Sequence, residues 1–295
     1  MLKSEHIYQA YSLLGIWGAG ILWAMIGCNF MPFTQQGLAV FVLAGLSVFS
    51  IHCLGFIFSY LYVTEKYYDI VGSICFVTTT AAILWYVQDQ LTIRTFILGM
   101  AVIVWSLRLG IYLGVRVMKV GKDQRFDKIK VHFGQFAVAW SLSALWVYIT
   151  AGSAWAGMLV NTVPTLSVVD LFWLSLWIIG FFTEVIADWQ KYQFRQQYKN
   201  QGKFIKHGLW SLSRHPNYFG ELIIWFALAG LAAPVLRGAQ YLFLISPCLL
   251  YVLLRYISGV NLLEEHADKK FGNNPDYQHY KKTVPTLIPW FGSTN

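Results

Sequence analysis

Charge is what this sequence lacks most. Of its 295 residues only 12% are charged, while 57% are hydrophobic, and the mean hydropathy is +0.50. Soluble domains carry about 25% charged residues, so an ordinary water-soluble fold is excluded and a polytopic membrane protein is expected. Cysteine is scarce too. Cys28, Cys53, Cys75 and Cys248 all fall inside apolar runs with no C-x-x-C pair, which argues against a disulfide frame or a metal centre and for buried thiols. No signal-peptide cleavage pattern follows MLKSEHIYQAYS, so the first apolar segment is read as a retained anchor. Repeats and low-complexity linkers are absent, and a single integral membrane domain over residues 1–295 is expected.

What is present is a series of apolar segments near the length of about 20 residues that a helix needs to cross a bilayer. Eight are recognisable, near Leu13–Phe30, Gly37–Leu61, Ile70–Val87, Ile93–Leu113, Phe136–Val160, Val168–Ala187, Tyr218–Val235 and Tyr241–Gly259. The fold expected is all-α, a polytopic helical bundle of about eight transmembrane helices. Eight spans put both termini and the loops near 61–69, 114–135 and 188–217 on one side. That side holds 18 of the 22 Lys and Arg residues, while Arg94 and Arg237 lie opposite and Arg108 and Arg255 lie within spans. The positive-inside rule makes the rich side cytoplasmic, and a bacterial inner membrane is the expected location. The net charge of +8 is thus topology, with a remainder for an anionic ligand or lipid headgroups; no nucleic-acid motif accompanies it.

Most polar residues in the spans have bland readings. His52 is expected to be a hydrogen-bonded interior histidine. Tyr60, Tyr62, Tyr67 and Tyr68 suit an interfacial aromatic belt, and the charged run Lys119 to Lys130 suits a solvated face. A turn is expected at Pro164.

Four places resist such readings. Asp69 stands at the mouth of the third span, where a carboxylate can line a cavity. Trp105, Arg108, Tyr112 and Arg116 recur at helical spacing and form one stripe. An arginine inside an apolar span needs a polar interior, and two in line can clamp a phosphate, although Arg116 also suits snorkelling to headgroups. Gly110 and Gly114 on the same segment allow another helix to pack closely. Glu184, Asp188, Lys191 and Arg195 line one face of a helix leaving the membrane, and the first two lie within the apolar boundary.

The fourth place is GLWSLSRHPNYFGE, Gly208 to Glu221. Pro216 suits the first turn of a helix. The free amides near Asn217 and Tyr218, with Arg214 and His215 just outside, form an anion-attracting terminus. Glu221 lies four residues beyond Asn217 on the same face and enters the apolar region behind it. Further on, Glu264, Glu265 and His266 make a polar cluster, and the closing TVPTLIPWFG reads as a folded cap.

Taken in order, YYDIVGSI, WSLRLGIYLGVR, TEVIADWQKYQFR, GLWSLSRHPNYFGE and LLEEHADKKFG with PDYQHYKKTVPTLIPW resemble the bacterial branch of the steroid 5-alpha-reductase-like membrane family over residues 60–292. The resemblance implies a cytoplasm-facing NADPH site and a lipid or steroid-like substrate from the bilayer, whose carbon–carbon double bond, conjugated to a carbonyl, receives hydride. It assigns Asn217 and Glu221 to the family's N-[FY]-x-G-E motif at the cofactor, Asp188 to its preceding aspartate and Arg195 to the following arginine. Arg108 and Arg116 fall in its fourth-span basic region, and Arg214, His215, Tyr218, Glu264 and Glu265 complete the implied cofactor set. Where eukaryotic members carry a catalytic tyrosine in an H-Y-x-x-R setting, this chain has Trp105. Asp69, near the place of an early catalytic glutamate, and Tyr112 are the candidate proton donors, with Glu221 as a further catalytic residue.

The RHP-x-Y motif and the two glutamates are also similar to those of isoprenylcysteine carboxyl methyltransferases and phospholipid methyltransferases, which implies S-adenosylmethionine as the alternative cofactor. A third reading is a non-enzymatic lipid-binding protein that keeps an old cofactor pocket.

Overall fold

In the computed structural model the described residues are 2–28, 36–121, 123–160, 165–257 and 259–289. Among them there is no strand. The helices are α1 (Leu2–Gly27), α2 (Gln36–Leu61), α3 (Tyr68–Tyr86), α4 (Ile93–Val120), α5 (Phe133–Met158), α6 (Val168–Gln196), α7 (Pro216–Ala232), α8 (Ser246–Val252), α9 (Val260–Phe271) and α10 (Pro275–Thr283). Eight helical segments are long and apolar enough to cross a membrane: His6–Gly27, Ala39–Leu61, Tyr68–Tyr86, Ile93–Lys119, Phe133–Met158, Val168–Gln196, Pro216–Val235 and Gly238–Phe271. The all-helical architecture expected from the apolar runs is the one found, and it is that of an integral membrane protein. The expected turn at Pro164 and the end of the chain from Trp290 lie outside the described residues.

The chain forms two compact units, one of residues 1–166 and 229–246, the other of residues 167–228 and 247–295. In the first, α5 is buried along most of its length. Two of its aromatic residues use their polar atoms as well as their bulk: Trp155 donates to Thr80 Oγ1 at 2.8 Å and Tyr148 to the carbonyl of Phe41 at 3.0 Å. A buried aromatic is stable in an apolar setting when such a handle finds a partner. α3 and α4 pack closely where Gly110 faces Ser73; a Cβ on Gly110 would lie 2.7 Å from that of Ser73. The small-residue pattern therefore does what its spacing predicts. His52 also has the bland use expected, with Nδ1 2.8 Å from the Val48 carbonyl and Nε2 3.2 Å from Ser143 Oγ. Of the cysteines expected to be buried thiols, Cys28 and Cys75 are buried, Cys53 is half-buried and Cys248 is exposed.

In the second unit α6 begins at a capping box. Ser167 accepts from the amide of Asp170, whose carboxylate accepts from the Ser167 amide at 2.7 Å, satisfying donors a helix start would otherwise leave open. α6 continues beyond its apolar run to Gln196, as expected from the helical spacing of Glu184, Asp188, Lys191 and Arg195. α7 starts at Pro216 as expected. α6 and α7 cross at two glycines: a Cβ on Gly220 would lie 2.7 Å from the Gly180 carbonyl and 2.7 Å from the Glu184 amide. No other residue leaves room there, and this approach brings the polar turns of both helices together.

The last span differs most from expectation. Instead of one helix over Tyr241–Gly259, a 3-10 stretch (Gly238–Ile245) leads into α8, which passes into a π turn at Leu253–Ile257. Pro247 accounts for the break, since it lacks an amide proton and fits only the first turn of a helix.

Candidate functional site

The residues singled out in the sequence fall into two groups, one in each unit. In the first unit, Asp69 Oδ2 lies 3.4 Å from Arg116 and 3.6 Å from Arg125. Arg125 grips Asp123 at 2.6 Å, and Asp123 lies 3.8 Å from Arg116. Deeper in, Glu65 accepts from Lys130 Nζ at 2.7 Å and from the Asp123 amide at 2.9 Å. The run expected as a solvated face is thus only partly so. Arg125, Asp127 and Lys128 are exposed, while Lys130 turns inward to the Glu65 carboxylate and the Asp123 carboxylate to Arg116 and Arg125. Burial pushes the Glu65 carboxyl up, but its bonds to Lys130 and to backbone amides outweigh that and hold it below the usual glutamate range. Asp123 is held low in the same way, with Arg125 and Arg116 overcoming its burial.

Further along α4, the Arg108 guanidinium lies over the Tyr112 ring, 5.7 Å from its centre, and both are half-buried. Trp105, at the place of the missing tyrosine, is fully buried and set edge-on to Phe76 at 5.3 Å.

In the second unit the R-H-P turn is the centre of a denser network. The Arg214 guanidinium pairs with Glu264 Oε2 through Nη1 and donates to Thr286 Oγ1 through Nη2 at 2.6 Å. Its backbone amide donates to the Pro285 carbonyl at 2.9 Å, and Ser213 Oγ donates to the Leu287 carbonyl at 2.8 Å. The closing segment is therefore strapped across the turn, as a folded cap would be. His215 Nε2 lies 2.8 Å from Glu264 Oε1, so one carboxylate holds both the arginine and the histidine of the motif. The imidazole stacks on Tyr218 with ring centres 5.8 Å apart. One turn on, Asn217 Nδ2 donates to Asp188 Oδ1 at 3.2 Å. Asp188, Glu184 and Glu221 are all buried.

Behind this network the 3-10 turn Gly208–Ser211 is anchored to α6. Trp210 donates to the Ala187 carbonyl at 3.0 Å, the Leu209 amide donates to Gln190 at 2.9 Å, and Lys191 lies over the Trp210 ring at 4.5 Å. Tyr280 donates to the Trp210 carbonyl at 2.6 Å. Glu265 and Arg195 are exposed and take no part in these contacts. Thr286 was not singled out in the sequence, because a threonine near a terminus carries no signal until Arg214 is seen to reach it.

Three buried polar atoms of the motif have no hydrogen-bond partner among the described residues: Arg214 Nε, His215 Nδ1 and Asn217 Oδ1. A buried polar atom without a hydrogen bond is costly, and three within four residues mark a place built for something else. Their roles follow from their neighbours. Asn217 must turn its amide nitrogen toward the Asp188 carboxylate, leaving its oxygen as a free acceptor. Burial, only partly offset by Glu264, lowers the His215 pKa. The ring is then neutral near neutral pH with its proton on Nε2, facing Glu264, and Nδ1 is a second acceptor. Arg214 Nε is a donor. A ligand that fits here presents N–H donors to two atoms and an anionic or carbonyl oxygen to the third.

The chain matches the sequence profile of a family described as protein of unknown function (DUF1295) over residues 55–284. No curated protein and no solved structure gives a significant match. Apart from the strap at Pro285, Thr286 and Leu287, both polar clusters fall within the matched residues, and by that match the chain belongs to the DUF1295 family.

Proposed function

We propose that this protein is an NADPH-dependent reductase of the steroid 5-alpha-reductase-like kind, acting on the conjugated carbon–carbon double bond of a lipid or steroid-like enone. The observation that carries this reading is the unpartnered set of Arg214 Nε, His215 Nδ1 and Asn217 Oδ1 at the start of α7. One donor for a phosphate oxygen and two acceptors for a carboxamide, within a single turn, fit a phosphorylated nicotinamide cofactor. Bound there, NADPH would supply a hydride to one carbon of the double bond.

The protein's own residues supply the rest. Arg214, fixed by Glu264 and Thr286, holds negative charge at the helix terminus. Asn217, fixed by Asp188, orients an amide. Glu221, buried on the same face as Asn217, lies toward the apolar interior where the reacting carbons would meet, and water kept out of that interior protects the hydride. A proton must reach the second carbon; Tyr112 and Asp69 are the candidates, of which Asp69 is already engaged with Arg116 and Arg125. The contributions of Arg108, Arg116, Arg195 and Glu265 rest on the resemblance alone. The reading includes a bacterial inner membrane with both termini cytoplasmic, from the distribution of basic residues.

A second reading has an observation in its favour. Glu264 already neutralises Arg214 and holds His215, so a cofactor without phosphates, S-adenosylmethionine in a lipid methyltransferase, would also suit the turn. Consumption of NADPH by the detergent-purified protein with a steroidal or polyprenyl enone tests the primary reading. Glu221→Gln should remove most of that activity while the folded protein is retained; full activity in the variant would refute the assignment.

A further inference from the structure

Between Gly238 and Asn261 the sequence has one charged side chain, Arg255. It lies on the π turn Leu253–Ile257, a rare local form that recurs at functional sites. Asn261 Nδ2 donates to the Tyr256 carbonyl at 3.4 Å, which turns its own oxygen toward Arg255, and that oxygen accepts from Arg255 Nη1 at 2.7 Å. The neighbouring Tyr256 ring lies 5.2 Å from the guanidinium carbon. The guanidinium is thus held in one orientation by a neutral amide and an aromatic ring. Among the described residues no carboxylate lies within ion-pair distance of it. Arg214, by contrast, has one and Arg116 two.

A guanidinium carries five N–H donors, and Asn261 uses one. An arginine with unbalanced charge in an apolar segment is unfavourable and is expected where it has a task. Its planar fork suits a carboxylate or phosphate ester. We propose that Arg255, oriented by Asn261 and Tyr256, binds the anionic end group of an acidic lipid. This inference rests on the reading that the protein acts on a molecule drawn from the bilayer, and it narrows that molecule to a lipid with an anionic end. The same chemistry is offered by a lipid acid and by a phospholipid headgroup, and the test separates them.

The full-length protein, purified in a non-ionic detergent and stripped of lipid, is titrated by native mass spectrometry and thermal shift. Oleate represents a lipid carboxylate and dioleoylphosphatidylglycerol a phosphate headgroup, with oleyl alcohol and dioleoylphosphatidylcholine as their controls. The wild type should bind at least one acidic lipid about tenfold tighter than its control. Arg255→Gln should abolish that preference. Arg255→Lys, which keeps the charge but loses the fork, and Asn261→Ala should each reduce it several-fold. Preference for oleate assigns the end group to a lipid acid, and preference for phosphatidylglycerol assigns it to a headgroup.

Because Arg255→Gln removes an unbalanced charge, the Tm of the lipid-free variant should hold or rise. A preference absent from the wild type, or unchanged in all three variants, would overturn the inference. So would a lowered Tm with unchanged preference, which would make Arg255 a brace. NADPH titration of the same samples keeps the two proposals apart. Arg255-dependent lipid binding without NADPH binding would remove the reductase reading and leave this one standing.

Discussion

The two polar clusters are made from the same residue types and end in different states. In the first unit Asp69, Arg116, Asp123 and Arg125 form a closed ring of ion pairs, with Glu65 and Lys130 paired beside it. Apart from the local Arg125–Asp123 pair, these contacts fasten one stretch of chain to another, and structure alone accounts for the charges. In the second unit the Arg214 ion pair and the His215 hydrogen bond with Glu264 are also made, yet among the described residues the motif keeps an unsatisfied donor and two unsatisfied acceptors. Buried charge marks cost but not purpose. The polar atoms left over after the internal pairs are counted carry the functional signal.

Substitutions that break each cluster should show this difference. The largest expected effect is that of Glu264→Ala, which strands both Arg214 and a buried histidine. Removing one partner of a largely buried pair costs about 3–5 kcal/mol, so the variant should yield little folded protein by size-exclusion chromatography in detergent.

Glu65→Gln comes next. It weakens the Lys130 bond at a nearly inaccessible side chain and should cost roughly 2 kcal/mol, read as a lowered Tm, with NADPH affinity unchanged.

Asn217→Ala should do the reverse. Cofactor affinity should fall by about tenfold, or about 1.4 kcal/mol, with a smaller loss of Tm. If Glu65→Gln weakened the cofactor as much as Asn217→Ala did, the contrast between the clusters would be lost.

The smallest effect is on pH. His215 has a folded pKa below its ordinary 6.5, because its environment favours the neutral ring. The stability this gives is fully present above 6.5 and declines as the pH falls below that value. Glu65 also has a lowered folded pKa, but relative to 4.5. Its contribution is complete above 4.5 and is lost only as the pH falls through the folded value. Acidification should therefore lower Tm in two stages, and His215→Asn should remove the earlier one.

Much of the architecture could be read from the sequence, because apolar length and proline act locally. Pro216 starts α7, and Gly110 packs where its spacing said it would. The broken last span was not anticipated, although Pro247 was there to be seen, because its hydrophobicity runs on without interruption. The ion pairs were beyond reach for another reason: Glu65 meets Lys130, and Arg214 meets Glu264 and Thr286, across 50 to 72 positions, a separation over which no periodicity operates. Of the adjacent Glu264 and Glu265, only the orientation of α9 decides which one turns inward. The Asn217 and Asp188 partnership lay nearer the surface of the sequence, since Asn217 was marked by its place in the first turn of α7 and Asp188 by the apolar boundary of α6.

The most direct test of the central claim is calorimetric titration of the detergent-purified wild type and Asn217→Ala with NADPH and, separately, S-adenosylmethionine. The account predicts saturable NADPH binding to the wild type, about tenfold weaker in the variant, and no saturable binding of S-adenosylmethionine. Binding of S-adenosylmethionine alone would contradict the reductase assignment, and binding of neither would contradict the claim that the unsatisfied atoms of the R-H-P-N turn form a cofactor site.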